Sequence, residues 1–485
     1  MRKFLIILFL LIVYEFASSI FMLGMTLDSL FLGMKINADN EYVIRNNYDL
    51  SGAIVELPEF TSLVFEGGSI NNGTIILHNN CSIKGGKNTK LKANCKINGK
   101  SVSHQALFLA RSCKNIHIKD IIIVGNYSET MGNINPWMDN SCDAQSLLFF
   151  KDCCNLTLEN VTISNFYNPR SSFYKTWNEI YHSEYNMFPV YFFNCDNIEL
   201  LKCKEVSSCG EAWTIMNSRK INIDGFFCKQ KFGTSVLSVI YCSDIKLINS
   251  HFEVKHALGN LVNITAEDFK VSHCSIIGGD LDFGNEHANV DIDLDDDGIV
   301  GDNNEYVISK AQIINNNIIN GAITNNTSNR ITNEYPIDDI IIANNHIEIN
   351  ISTQASLRGI NLGSYGSIRK CLINSNYISI FGEYSETFAS NFEYRYIPIV
   401  VFKPNYKVEQ LHIVNNEIID NAIWNRSISK TMAMTEILGS SILVNIKSGN
   451  VIVEGNKCKT LYDMNITKKG GMNISLSNNK YISKH

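Results

Sequence analysis

One six-residue pattern keeps returning along this chain: an apolar residue, any residue, Asn or Ser, Asn, any residue, an apolar residue. It is clearest at Ile313 to Ile318, Ile342 to Ile347, Ile373 to Ile378 and Ile413 to Ile418. Looser copies begin at Ile118, Leu158, Leu200, Ile223, Leu247, Val271, Val453 and Leu476. The fourth position steps from 203 to 226 to 250 to 274, intervals of 23, 24 and 24, and elsewhere from 376 to 416 to 456, intervals of 40. A fixed short period with period-two apolar alternation inside it marks a β-solenoid, in which no strand buries its face alone and successive coils stack. Asn suits the turn between two strands of a coil. It tolerates left-handed backbone, and its amide can bond to the amide one coil away.

The pattern predicts an all-β chain of roughly 12 coils, and the composition agrees. Hydrophobic residues make up 45% and charged residues 19% of 485, enough for a long core and too apolar for general disorder. The net charge of −6, with no Lys/Arg run, excludes phosphate-backbone binding as a leading function, so no nucleic-acid partner is expected. Arg2 and Lys3 precede an apolar stretch from Phe4 to Val13, and Ala17-Ser18-Ser19 offers small residues for cleavage. We read residues 1–19 as a signal peptide, or one that extends to about 35, with an uncleaved anchor as the alternative. Glu15 and Asp28 count against a full membrane span. Residues 36–485 form the solenoid, with capping coils at about 36–112.

Export makes disulfides the default for 14 Cys, but their spacing suggests otherwise. Cys113, Cys153, Cys195 and Cys242 precede Ile- or Leu-led strands, as in Cys113-Lys-Asn-Ile, and Ser218 takes the place in the coil between. The steps of 40, 42, 23 and 24 match those of the other pattern. We expect a stacked row of small side chains lining a turn. Zinc is the alternative, though no paired Cys-x-x-Cys arrangement exists.

On these repeats, and on Leu63-Val-Phe-Glu-Gly-Gly-Ser-Ile-Asn-Asn-Gly-Thr-Ile-Ile-Leu77, the chain resembles secreted bacterial members of the pectin-lyase-like superfamily of right-handed parallel β-helices. The resemblance spans about residues 36–485. It implies fold more than activity, because such folds host lyases, hydrolases, epimerases and adhesins.

Spacings near 40 imply inserts over the minimal coil. We place them at Asn126 to Gln145, Asn165 to Pro189, Gly278 to Glu305, Phe381 to Tyr396 and Asp420 to Ser440, all after a third strand and before the next first strand. Long loops would then wall a groove along one edge, its floor being the first strands. In the resembling enzymes that groove holds polysaccharide. The second insert carries Arg170, Trp177, Tyr181 and His182, whose mixture of aromatic and charged groups suits sugar rings, although such aromatics equally fold a loop onto the solenoid. Aligning coils puts Trp213 outward as a sugar platform, in step with Leu237 and Leu261, with Asn263 as a further substrate contact.

The most acidic stretch is 279–305. Asp293, Asp295, Asp297 and Asp302 follow the start of a D-x-D-x-D-G loop, which makes calcium a possible cofactor, a solvated acidic turn being the alternative. Asp280, Asp282, Glu286 and His287, with Glu211 on the floor, are the acid–base candidates. Hydrolysis of a glycosidic bond needs two carboxylates; a lyase needs a base beside a neutralised acid group. The leading expectation is a secreted, periplasmic or cell-surface lyase or glycoside hydrolase acting on a complex or acidic glycan, monomeric, with polysaccharide as its partner. A non-catalytic glycan-binding or adhesin-like protein is the alternative. A trimeric tailspike ranks last, since Asn473 to His485 reads as an ordinary coil.

Overall fold

The structure, a computed structural model, describes residues 41–482 apart from 126–146, 167–187, 285–306, 327–333, 384–396 and 422–440, and from shorter stretches at 51–52, 72, 87–88, 93–95, 98–99, 102–105, 211–212, 234, 258–259, 353–357, 364, 460–464 and 468–470. The expected signal segment lies outside the described residues. Among those described, no helix is long and apolar enough to cross a membrane.

The described chain is all-β, and it winds through three ladders of parallel strands in strict sequence order. The first ladder starts at Ile54–Glu56 and Thr74–Leu77, passes through Val190–Phe193, Trp213–Met216, Val262–Ala266 and Leu281–Phe283, and reaches Asn465–Thr467. The second runs from Glu41–Ile44 through Lys114–Lys119 to Met472–Ser477. The third runs from Lys90–Lys92 through Ile122–Val124 to Lys480–Tyr481. Register holds from coil to coil: Val190, Trp213, Leu237, Val262, Leu281 and Ile323 are successive partners in the first ladder. This is the expected parallel β-helix, right-handed as parallel crossovers require. The dozen repeating coils begin at Phe108–Arg111, and two further first-ladder strands precede them within the expected capping region.

Strands of three to seven residues suffice because every second side chain points inward and meets the same row of the next coil. In one coil Val190, Phe192, Ile198, Leu200 and Cys203 all enter the core. Like packs on like: Phe150 stacks on Phe192 at 5.0 Å, and Phe226 on Phe252 at 5.7 Å.

The turn from second to third ladder divides the work between the two Asn positions. The third position of the pattern bends the chain with positive φ, as at Asn315 (58°), Asn344 (56°), Ser375 (54°) and Asn415 (55°). The fourth points inward. Asn316, Asn345, Asn376, Asn416, Asn456 and Asn479 form a continuous amide stack. Asn376 shows the unit: its Nδ2 donates to Asn416 Oδ1 at 3.0 Å and to Ile342 O at 2.9 Å, while its Oδ1 accepts from Asn345 N and Nδ2. A buried amide is tolerated because each of these groups is paired. In earlier coils the same column holds Ile121, Val161, Cys203, Phe226, Ser250 and Cys274, all buried.

The cysteine row is confirmed as packing. Cys113, Cys153, Cys195, Ser218 and Cys242 are buried at the turn from first to second ladder, and the described cysteines are free thiols. Burial pushes the Cys242 thiol up to about 12. A thiol held protonated by burial is a poor nucleophile at neutral pH, and the described residues hold no cluster of three or more metal-ligating side chains.

One expectation about the inserts is corrected. The gaps at 126–146, 167–187, 384–396 and 422–440 do fall between a third-ladder and a first-ladder strand. The acidic stretch does not: Leu281–Phe283 is itself a first-ladder strand, pairing with Val262–Ala266 and Ile323–Asn325, so residues 285–306 connect the first ladder to the second at Ile308–Ile314. A three-residue strand between Gly279 and Gly284 is too short to show its period in the sequence.

Candidate functional site

The first ladder carries the predicted floor, and its outward row changes character along the solenoid. In the early coils it is apolar. Leu109, Phe149, Tyr191, Phe193, Met216 and Ile240 form a cluster outside the main core. Phe149 and Tyr191 meet at 5.7 Å, Arg111 lies 5.7 Å over Phe149, and Lys151 lies 4.9 Å over Phe193. Cations over ring faces are attracted by the ring quadrupole.

In the middle coils the row turns polar. Thr214, Ser238, Asn263, Asp282 and Thr324 are register partners in successive coils, and Asn361 of Arg358–Asn361 continues the row as the partner of Thr324. Each alternates with a core residue, as Asp282 does between Leu281 and Phe283, so each points away from the core. None is more than partly exposed: Thr214 is 0% exposed, Ser238 4%, Asn263 3% and Asp282 1%. The Thr324 hydroxyl donates to Asp282 Oδ1. Thr214 Oγ1 and Asn361 Oδ1 are buried and have no hydrogen-bond partner among the described residues. Buried polar atoms are normally paired, so each such atom calls for an occupant or a reason. Beyond Asn361 the row becomes apolar again at Val400 and Leu443.

The predicted residues fare unequally. Asn263 and Asp282 come together as cross-strand partners on this face. Asp280 is placed differently: its Oδ1 accepts from Ala322 N at 2.8 Å, capping the start of the next coil's strand. Trp213 is corrected. It partners Val190 and Leu237, Leu237 in turn pairs with Val262 and not with the expected Leu261, and Trp213 points into the core, 0% exposed and edge-on to Phe226 at 5.0 Å. It cannot be a sugar platform. Glu211, Glu286, His287, Arg170, Trp177, Tyr181, His182, Asp293, Asp295, Asp297 and Asp302 lie outside the described residues.

The sequence reading passed over the partners of Asp282, namely Thr214, Ser238, Thr324 and Asn361. Their signal was available: each follows an inward apolar residue of the first ladder, a position readable once the register is known. It also passed over Glu205. This carboxyl points into the core between Ile163 and Cys228 in the third ladder. Gln230 Nε2 donates to its Oε1 at 3.2 Å. The Ser208 hydroxyl assists, and the Trp213 indole N–H approaches without reaching normal hydrogen-bond geometry. Burial pushes Glu205 up to about 8, these donors offsetting part of the effect.

No family model matches the sequence, and no curated protein matches it. Solved structures with some likeness include the Streptococcus pneumoniae surface protein and adhesin PfbA, at 14% identity over 91% of each chain and a TM-score of 0.29. Another is the A-module of the Azotobacter vinelandii mannuronan C-5 epimerase AlgE6, at 10% identity over 92% of this chain and 90% of that one, TM-score 0.28. A third is a Yersinia enterocolitica family 28 exopolygalacturonase, at 12% identity over 93% of this chain and 74% of that one, TM-score 0.27. At such identities the functional reading rests on this chain's own side chains.

Proposed function

We propose that this protein binds and cleaves a polysaccharide laid across the outer face of the first ladder, with Asp282 at the reacting position. The observation that carries the reading is the polar row from Thr214 to Asn361, set on an otherwise apolar face and little exposed. Hydroxyl, amide and carboxyl groups repeat there at the coil spacing of about 4.8 Å, as a polymer of sugar hydroxyls requires. Arg111 and Lys151, at the aromatic end of the same face, supply positive charge for an acidic glycan.

Asp282 serves either chemistry. As a carboxylate it is a base for the proton beside a uronate carboxyl, in the manner of a lyase. With a second carboxylate it forms the pair that hydrolysis needs. Glu211, two residues before the Trp213–Met216 strand, and Glu286, two residues after Gly284, are the second-carboxylate candidates. A calcium ion held by Asp293, Asp295, Asp297 and Asp302 would neutralise substrate carboxyls or pin the 285–306 connection; its support is residue spacing. The protein would act after export, at the cell surface or beyond.

Incubation with a panel of uronic-acid and neutral polysaccharides tests the proposal. Unsaturated products identify a lyase, and new reducing ends without unsaturation a hydrolase. Asp282→Asn should lower turnover at least a hundredfold while the fold is kept. Binding without products, indifferent to Asp282→Asn, would establish the adhesin-like alternative instead.

A further inference from the structure

We propose that the corner between the first and second ladders carries a separate stacking site for a neutral pyranose ring, built on Tyr365 and Tyr406. It does not depend on Asp282. Ile337, Ile368 and Val408 are register partners in three successive coils. Two residues before them in the sequence stand Tyr335, Gly366 and Tyr406, and Tyr365 precedes Gly366.

Two bonds brace this corner by skipping over the middle coil. Tyr335 donates its hydroxyl to Glu409 Oε1 at 2.7 Å, and Lys407 Nζ reaches Glu334 Oε1 at 3.1 Å. Arg369 lies 5.0 Å over the Tyr335 ring and bonds Asp338 at 2.7 Å. In the middle coil Gly366 has φ of 86°, and a Cβ there would come within 2.3 Å of Pro336 Cγ. Only glycine fits the turn. The turn is also held from inside, because Lys403, 0% exposed, donates to Tyr365 O at 3.2 Å.

On this fixed backbone Tyr365 leaves 48% of its surface exposed, with Tyr406 edge-on at 6.2 Å and 81°. Most other exposed large apolar side chains belong to the terminal coils. A solvent-facing aromatic ring stacks on the apolar face of a sugar at little entropic cost. The bonded charges of the corner comprise three carboxylates (Glu334, Asp338, Glu409) and two cations (Arg369, Lys407). That balance disfavours a polyanion and favours a neutral glycan.

Native affinity electrophoresis in gels containing xyloglucan, galactomannan, laminarin or dextran, with polygalacturonate as the acidic control, tests this. Retardation is expected in at least one neutral gel. Tyr365→Ala should weaken it at least tenfold, and Tyr365→Phe should stay within about twofold. Equal thermal midpoints for the two Tyr365 variants exclude a folding defect. No retardation in any neutral gel, retardation by polygalacturonate alone, or wild-type migration of Tyr365→Ala would overturn the site. Loss of turnover at Asp282 is scored separately, so either reading can fail alone.

Discussion

At the scale of single residues, the most informative side chains are those that break the apolar rule of the core. Glu205 and Lys403 both lie inside the solenoid, and burial shifts them in opposite senses: Glu205 up to about 8, Lys403 down to about 7. Their linkage signs differ. Between the ordinary carboxylate value and about 8, the unfolded chain has lost the Glu205 proton while the folded chain keeps it. Stability therefore falls as pH rises, by about 1.4 kcal/mol per unit at most. Between about 7 and the ordinary lysine value, the unfolded chain keeps a proton that folded Lys403 has lost, so stability rises with pH. The thermal midpoint should pass through a minimum near pH 7 to 8. Glu205→Gln should flatten the acid limb and Lys403→Met the alkaline limb, each scored by thermal denaturation from pH 5 to 10. The neighbours facing these groups, Cys228 and Cys371, have thiols pushed upward by burial, so they add no charge in that window. Asn376→Ala should cost about 2–4 kcal/mol in denaturant titration, because it removes the side-chain partners of two main-chain groups in the preceding coil, Asn345 N and Ile342 O, and interrupts the amide stack. A change below about 0.5 kcal/mol would show the amide stack to be ornamental.

At the scale of strands and turns, the lesson concerns register. The repeat revealed the second ladder, the turn and the third ladder, since a buried fourth position and a left-handed third position leave a durable mark on composition. The first ladder left a weaker mark. Its strands mostly run three to five residues, too short for inward and outward rows to be told apart from the sequence, and Trp213, expected outward, sits in the core in register with Leu237. The same weakness hid Leu281–Phe283 within an acidic stretch and moved the 285–306 connection to the wrong corner. The cysteine row was legible because its spacing matched the other repeat, and its burial predicts chemical silence. In the native protein Cys153, Cys195 and Cys242 should resist iodoacetamide until denaturant unfolds the chain. Modification at native rates typical of free thiols, mapped by peptide mass, would refute the packing of that corner.

At the scale of the whole molecule, a solenoid of in-register coils offers long faces and few special points. What distinguishes one face is where the repeat stops being apolar. The first ladder does so from Thr214 to Asn361, beside the edge from which four connections leave. Of that site, Asp282 and Asn263 were readable as residues, but their neighbourhood was not, because it is assembled from one side chain per coil. Calcium belongs to the same scale. If Asp293 to Asp302 bind it, added calcium should raise the thermal midpoint of the wild type and leave Asp295→Ala unmoved. The central claim is that polysaccharide lies on the polar row of the first ladder. Its most direct test is the dissociation constant, by calorimetry, of the best oligosaccharide from the panel against Thr214→Val, Asn263→Ala and Asp282→Asn, with Lys246→Ala and Lys270→Ala on the outer face of the second ladder as controls. The account predicts that each first-ladder variant weakens binding about tenfold or more, and that both controls bind as the wild type does. Unchanged binding in the first-ladder variants, or loss confined to the second-ladder pair, would contradict it.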